Sequence, residues 1–306
     1  YNLIGTDGIG IDDEVERNLV AAYYGRGFDI SCQLSTLGGL AIGLDNAHHN
    51  TIAGNYIGVN RAGDATSGGV LPQGSSSIYF YSVSLDNGSS YNVIGTNGDG
   101  QGDIAERNLL AGDAAAHIAV YGTGSDYNTV AGNYIGVNAL GTEVISKAAE
   151  GVLTGPFTAY NVIGTNGDGN NDALEGNVIA GSWASNLLAT GSHQRISGNY
   201  IGVNAAGTAL LFPIGGNPAY VEFDLSIGYE DDGNQDSPAT NIIFGTNGDG
   251  ISDDLEGNVV VSAVPITLRI AETGTSGNII AGNLFGVGAD KTTILAPSTL
   301  IQIDTS

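Results

Sequence analysis

Four places in this chain gather carboxylates and amides around glycines, a pattern able to hold a hard cation. Residues 97–106 read Asn97-Gly98-Asp99-Gly100-Gln101-Gly102-Asp103-Ile104-Ala105-Glu106. Residues 166–175 place Asn166, Asp168, Asp172 and Glu175 at the same spacing, and residues 247–256 place Asn247, Asp249, Asp253 and Glu256. The first version keeps Asp7, Asp13 and Glu16 but has Ile9 where Asp99 would stand, so it is expected to be the weakest. Oxygen donors at alternating positions on a glycine-rich backbone, closed by a later glutamate, suit Ca2+. The closing Glu arrives two residues earlier than in an EF-hand loop. The same residues admit a structural reading. Asn-Gly-Asp-Gly is turn chemistry, and Asp-x-x-Glu, as in Asp103 to Glu106, Asp172 to Glu175 and Asp253 to Glu256, is a capping box.

Catalytic constellations are harder to assemble. Elimination from an acidic polysaccharide needs a base beside a cation that stabilises the carboxylate-bearing intermediate. The chain has only eight cationic residues, and Arg17 and Arg107 stand next to Glu16 and Glu106, where a structural ion pair is expected. Glycoside hydrolysis needs two opposed carboxylates. The adjacent pairs Asp12-Asp13 and Asp253-Asp254 belong to the recurring loop, which leaves Asp231-Asp232. His48, His49, His117 and His193 keep no repeated spacing to acids and read as structural. Thr6, Thr96, Thr165 and Thr246 recur too sparsely to form the regular threonine face of an ice-binding solenoid. No catalytic residue is assigned.

The elements that carry these loops are themselves repeated. Residues 91–112 recur as 1–22, 160–181 and 240–262, the last with Phe244 as an apparent extra residue. A second stretch, Asn50-Thr51-Ile52-Ala53-Gly54-Asn55-Tyr56-Ile57-Gly58-Val59-Asn60, recurs at 128–138, 194–204 and 278–288. The two alternate, so one super-repeat contains both. Apolar residues come in bursts of three to five, β-branched or aliphatic, bounded by Gly or Asn, which is the signal of short strands. Strands so short bury a face only when like neighbours stack on them. Asn at the ends of the bursts suits tight left-handed corners and stacked amide ladders; the candidates are Asn55, Asn60, Asn133, Asn138, Asn199 and Asn204.

The pattern N-x-I-x-G-N-x-I-G-x-N-x-x-G-T, carried by residues 54–60, 132–142, 198–208 and less faithfully 282–292, resembles the right-handed parallel β-helix proteins of the pectate-lyase-like superfamily of bacterial secreted and surface proteins. The resemblance implies an all-β, single-stranded right-handed parallel β-helix. We read it as one domain, 1–306, of four super-repeats at approximately 1–90, 91–159, 160–239 and 240–306. At about three coils per super-repeat it would have roughly a dozen coils and a length of about 60 Å. That superfamily hosts lyases, hydrolases, tailspikes and inert stalks, so the fold leaves the activity open.

Composition narrows the partners. Eight Lys and Arg against 32 Asp and Glu give a formal charge of -24. Such a surface disfavours nucleic acid and anionic membranes, and no run reaches the ~20 apolar residues of a spanning helix. The single Cys32 cannot form an internal disulfide. The absence of Met fits a processed, secreted or cell-surface product. Repeat sequence runs up to Tyr1, and the apolar stretch 300–303 shows no amphipathic cap, so each end is expected to meet further rungs or another copy of the chain, head to tail. These features together predict an extracellular structural scaffold, a calcium-stabilised rod, stalk or filament subunit. The alternative class is a carbohydrate-binding or carbohydrate-active β-helix, with polysaccharide as partner and an aromatic platform at residues 79–81 or 220–223.

Overall fold

The computed structural model describes residues 1–9, 13–20, 26–31, 40–67, 81–112, 114–146, 148–212, 223–228, 237–264, 266–296 and 299–304. Cys32, Asp12, the Asp231-Asp232 pair and most of both aromatic platforms lie outside them.

The chain is all-β, with three long parallel sheets consistent with a β-solenoid. The first sheet orders Leu3–Gly5, Thr51–Ala53, Val93–Gly95, Thr129–Ala131, Val162–Gly164, Arg195–Ser197, Ile243–Gly245 and Ile279–Ala281 side by side. Strands of the two recurring stretches therefore alternate along it. The second sheet runs from Leu19–Val20 to Leu284–Phe285 in eight strands, and the third has nine, from Arg26–Ser31 and Leu40–Asp45 to Ile301–Ile303. Every pairing between these strands is parallel. Among the described residues a super-repeat makes two circuits rather than three. The stretch from one recurrence to the next holds two strands of the first sheet and two of the second.

Each strand of two or three residues points one large side chain inward. Ile52, Ile94, Ile163 and Ile196 from the first sheet meet Ile57, Leu110, Ile135 and Ile179 from the second, and Val83, Ile118, Val152 and Leu187 from the third, in one continuous core. A buried aliphatic side chain contributes about 1.5–3 kcal/mol, too little to hold an isolated two-residue strand. Stability accrues because each inward row repeats at every rung.

Phe244 corrects the alignment drawn from the sequence. It is fully buried and pairs in register with Ile196 and Ile280, so it occupies the inward position of Ile94. The extra residue lies upstream. Asn241 adopts φ 54°, as Tyr91 does at 56°, which places Ile242 rather than an amide in the slot of Asn92.

Two columns of amides, buried except toward the ends, run along the body. In one, Asn18, Asn55, Asn108, Asn133, Asn177, Asn199, Asn258 and Asn283 are linked in succession, each Nδ2 donating to the Oδ1 of the next at 2.8–3.1 Å. The second hydrogen of that amide goes to a main-chain carbonyl one circuit back, as from Asn133 to Ile94 at 2.8 Å. From Asn55 onward the Oδ1 of the next residue also takes the main-chain N–H, as from Asn55 to Asn108 at 2.9 Å. The other column joins Asn2, Asn50, Asn92, Asn128, Asn161 and Gln194.

The corners differ from the expectation. None of Asn55, Asn60, Asn133, Asn138, Asn199 or Asn204 is left-handed; the adjacent Gly54, Gly132 and Gly198 take φ 70° instead. Asn60, Asn138 and Asn204 close small loops, their Oδ1 accepting from the N–H of Asp64, Thr142 and Thr208. A second left-handed corner is occupied by His49, Tyr91, Tyr127, Tyr160 and His193, at φ 54–57°. That conformation costs an L-residue roughly 1–2 kcal/mol. The rings stack from rung to rung at 4.8–5.1 Å, which offsets the cost. Where the rings end, Asn241 and Gly277 take the corner, residues that tolerate it alone.

Asn133→Ala should remove the acceptor of both Asn108 donors and leave the Ile94 carbonyl and Asn177 Oδ1 short of a donor. At about 1–3 kcal/mol per buried unpaired group, a loss of about 3–5 kcal/mol is expected in urea unfolding. Asn204→Ala, in an open loop, should cost about 1 kcal/mol.

Candidate functional site

The acidic loops leave the body just after the first sheet and return to the second. Each begins with a threonine whose side chain is turned into the loop. Thr96 Oγ1 donates to Asp103 at 2.9 Å and accepts from Gly98 N at 3.1 Å. Thr6 donates to Asp13 at 3.0 Å, Thr165 to Asp172 at 2.6 Å and Thr246 to Asp253 at 2.8 Å. The second carboxylate oxygen of Asp103, Asp172 and Asp253 accepts from Gly100, Gly169 and Gly250 N. Asn97, Asn166 and Asn247 accept from the N–H two residues on, at Asp99, Asp168 and Asp249, which in turn accept from Gln101, Asn170 and Ile251. The polar row is therefore a chain of side-chain turns.

The glutamates act differently from a capping box. Asp13–Glu16, Asp172–Glu175 and Asp253–Glu256 each form one helical turn, with the Asp inside it. Asn171 and Ser252 sit at the N-cap in the left-handed region and make no side-chain cap bond. Glu16, Glu106, Glu175 and Glu256 reach back nine residues, each taking the N–H of Asp7, Asn97, Asn166 or Asn247 at 2.9–3.1 Å. Glu106, Glu175 and Glu256 also sit against the glycine of the preceding loop. A Cβ added at Gly8, Gly98 or Gly167 would run into that carboxylate. The loops thus stack in a column, with Asn171 Nδ2 donating to the Gly98 carbonyl at 3.3 Å.

Burial divides the acids. Asp103, Glu106, Asp172, Glu175 and Glu256 are buried, whereas Asp99, Asp168 and Asp249 face solvent. Desolvation pushes the Glu106 and Glu175 carboxyls above their ordinary value, against the pull of the Asn97 and Asn166 amides. At Asp172 burial also raises the pKa, but hydrogen bonds from Ser252, Thr165 and Gly169 outweigh it and hold the group low. Among the described residues two loops bring three carboxylates within 4.8 Å of one another: Asp7, Asp13 and Glu16, and Asp249, Asp253 and Glu256. The first is the loop expected to be weakest. Its Asp7 stands where the other three have Asn, which supplies the third carboxylate by a route independent of Ile9. In the fourth loop Glu256 is also paired with Arg195.

The cations have structural roles. Arg17 lies over the Tyr56 ring at 4.2 Å and Arg107 over Tyr134 at 4.0 Å, and their Nε atoms donate to the Gly54 and Gly132 carbonyls. Their neighbours Glu16 and Glu106 turn back into the loops, so the role is met through rings and carbonyls. Arg269 pairs with Asp304 at 2.9 Å. No protein-family model, no curated protein and no solved structure matches the chain.

Two titratable groups of the third sheet are perturbed: His117, buried and read from the sequence as structural, and the half-buried Glu150, which the sequence did not single out. His117 lies between Ser82 Oγ at 3.1 Å from Nδ1 and Ser146 Oγ at 2.7 Å from Nε2. Ser146 gives its own hydrogen to the Gly112 carbonyl, so Nε2 carries the proton and Nδ1 accepts. Burial lowers the His117 pKa from 6.5 to about 4. On the adjoining rung, where Glu150 stands in register with Ala116, burial raises the Glu150 pKa from 4.5 to about 7.

The signs oppose. His117 stabilises the fold above pH 6.5 and loses that contribution as pH falls toward about 4. Glu150 stabilises it below pH 4.5 and loses that contribution as pH rises through about 7. Glu150→Gln should therefore match the parent near pH 4.5 and exceed it by up to roughly 3 kcal/mol at alkaline pH, at ~1.4 kcal/mol per pH unit. Urea unfolding at both pH values checks this; a difference independent of pH would contradict it.

Proposed function

We propose that the chain is an extracellular structural rod, a right-handed parallel β-helix of the pectate-lyase-like kind that serves as a stalk or filament subunit, stacks end to end and is stiffened by calcium. The observation that supports it most is the longer amide column, whose eight members bind each rung to the next in a fixed register. Eight rungs at ~4.8 Å give a body about 35 Å long. Right-handed winding follows from the strong preference of parallel crossovers. Four of the eight cations, Arg17, Arg107, Arg195 and Arg269, are bound to rings, carbonyls or acids, which supports a passive role over elimination chemistry, where a cation is aimed at substrate. Leu3 and Leu19 on the first rung and Ile301 and Ile303 on the last are 44–65% exposed, apolar surface that a further rung would cover.

Calcium fits best where three carboxylates meet, at Asp7, Asp13 and Glu16 and at Asp249, Asp253 and Glu256. The residues of the two middle loops, Asn97, Asp99, Asp103 and Glu106 with Asn166, Asp168, Asp172 and Glu175, are engaged with N–H and hydroxyl donors and serve the column of loops.

Two measurements test the proposal. Negative-stain images in millimolar calcium should show linear particles that shorten on adding chelator; dispersed single particles under both conditions, or product release from a panel of uronate polymers, would refute the scaffold reading. Calcium at a hundredfold excess over its dissociation constant should stabilise the fold by about 2.7 kcal/mol for one site. Asp13→Asn combined with Glu16→Gln should abolish the part of that gain due to the first loop, and an unfolding midpoint insensitive to calcium in the parent would exclude the ion.

A further inference from the structure

The ring column on the left-handed corner has chemistry that the scaffold reading does not use. Tyr91, Tyr127 and Tyr160 are 50%, 45% and 45% exposed, so their ring edges meet solvent. Adjacent centroids are 5.0 Å apart in both pairs, with an interplanar angle of 4° in each. Nearly parallel rings carried on the same corner conformation, one rung apart, bring the faces of successive phenols together. His49 and His193 close the tyrosine run, stacking on Tyr91 at 5.1 Å and on Tyr160 at 4.8 Å.

The other described tyrosines lack this arrangement. Tyr56, Tyr134 and Tyr200 occupy alternate rungs of the second sheet, with Leu109 and Val178 between them in register. Tyr81 and Tyr121 are 5.7 Å apart and tilted by 44°.

We propose that Tyr91, Tyr127 and Tyr160 form an oxidative cross-linking site, at which a peroxidase-class one-electron oxidant joins successive rungs through a dityrosine bond. Each of two neighbouring phenols loses one electron to the oxidant and its hydroxyl proton to solvent, giving two tyrosyl radicals. Their ortho carbons couple, and the hydrogens displaced from those carbons return to the phenol oxygens as the rings regain aromaticity. The pair loses two hydrogens in all, and one hydrogen peroxide is reduced to two waters. The stack supplies proximity: two radicals held a rung apart couple faster than they meet radicals on other molecules. The resulting staple would close a loop of 36 residues between Tyr91 and Tyr127, or 33 between Tyr127 and Tyr160, by difference of residue numbers. The inference rests on the ring geometry and is independent of whether the rod polymerises.

The test treats the full chain with a haem peroxidase and hydrogen peroxide over a dilution series, then maps peptides by mass. The expected product is a within-chain link of Tyr91 to Tyr127 or of Tyr127 to Tyr160, two hydrogens lighter, with dityrosine fluorescence and a yield per chain that does not change on dilution. Tyr127→Phe keeps the stacked ring and should lower the yield by about tenfold or more, whereas Tyr134→Phe should leave it unchanged; circular dichroism confirms that both variants fold. Links spread evenly over the other tyrosines, links only between chains, or tyrosine loss without any Tyr127 link would overturn the proposal.

Discussion

A carboxamide sealed from water has to find an acceptor for each hydrogen and a donor for its oxygen, and here it finds most of them in the rung above and the rung below. Asn133 shows the constraint: its Nδ2 reaches Ile94 O, Ala131 O and Asn177 Oδ1, and its own Oδ1 serves Asn108. A slip of one residue would point these amides at apolar neighbours and turn the inward isoleucines to solvent. Register is thereby fixed by polar groups, while the aliphatic column supplies most of the driving force. The three sheets, the corner glycines and the loops that leave the body all inherit their positions from that register.

The acidic loops follow the same logic on the outside. The later Asp and the Glu of each loop are turned inward onto threonine hydroxyls and main-chain N–H groups, so much of an anionic sequence becomes a set of self-satisfied turns. The glutamate of one loop lies against the glycine of the loop before it, which requires Gly98 and Gly167 to lack a Cβ as well as to hold φ near 70°. Charge is tolerated there because charge-assisted hydrogen bonds lower the cost of burying it.

Much of this architecture was legible beforehand, and particular residues show where legibility stopped. Bursts such as Val93-Ile94 and Leu109-Leu110 announced short strands, and their recurrence announced stacking. The amide ladder was foreseen at Asn55, Asn133 and Asn199, but four of its other five members, Asn18, Asn108, Asn177 and Asn258, belong to the other recurring stretch, and only the fold shows that two dissimilar segments share one position. The left-handed corner at Tyr91 was invisible because the reward for a strained tyrosine is a ring on a neighbouring rung, 36 residues away in sequence. Asp7, Asp13 and Glu16 were legible as candidate ligands, but the loop ranked weakest because Ile9 replaces an Asp, whereas Asp7, standing where the other loops have Asn, restores the third carboxylate.

The change from amide to hydrocarbon at Ile242 bears on how the body shares strain. Between Gln194 and Asn278 the shorter polar column is interrupted: Ile242 offers only its main-chain N–H, to Asn278 Oδ1, and Gln194 turns its own amide back to Thr158. In a one-dimensional array each interface is felt only by its neighbours; this joint has one amide column where others have two, and apolar contact around Phe244, the Arg195–Glu256 pair, the bond from Ser197 Oγ to the Gly245 carbonyl and the added strand pair of Gly191–Ser192 with Ala239–Thr240 stand beside it. At that level adaptable packing and a charge pair replace one line of neutral amide bonds, so the coupling between neighbouring rungs changes in chemical kind along the array without being lost.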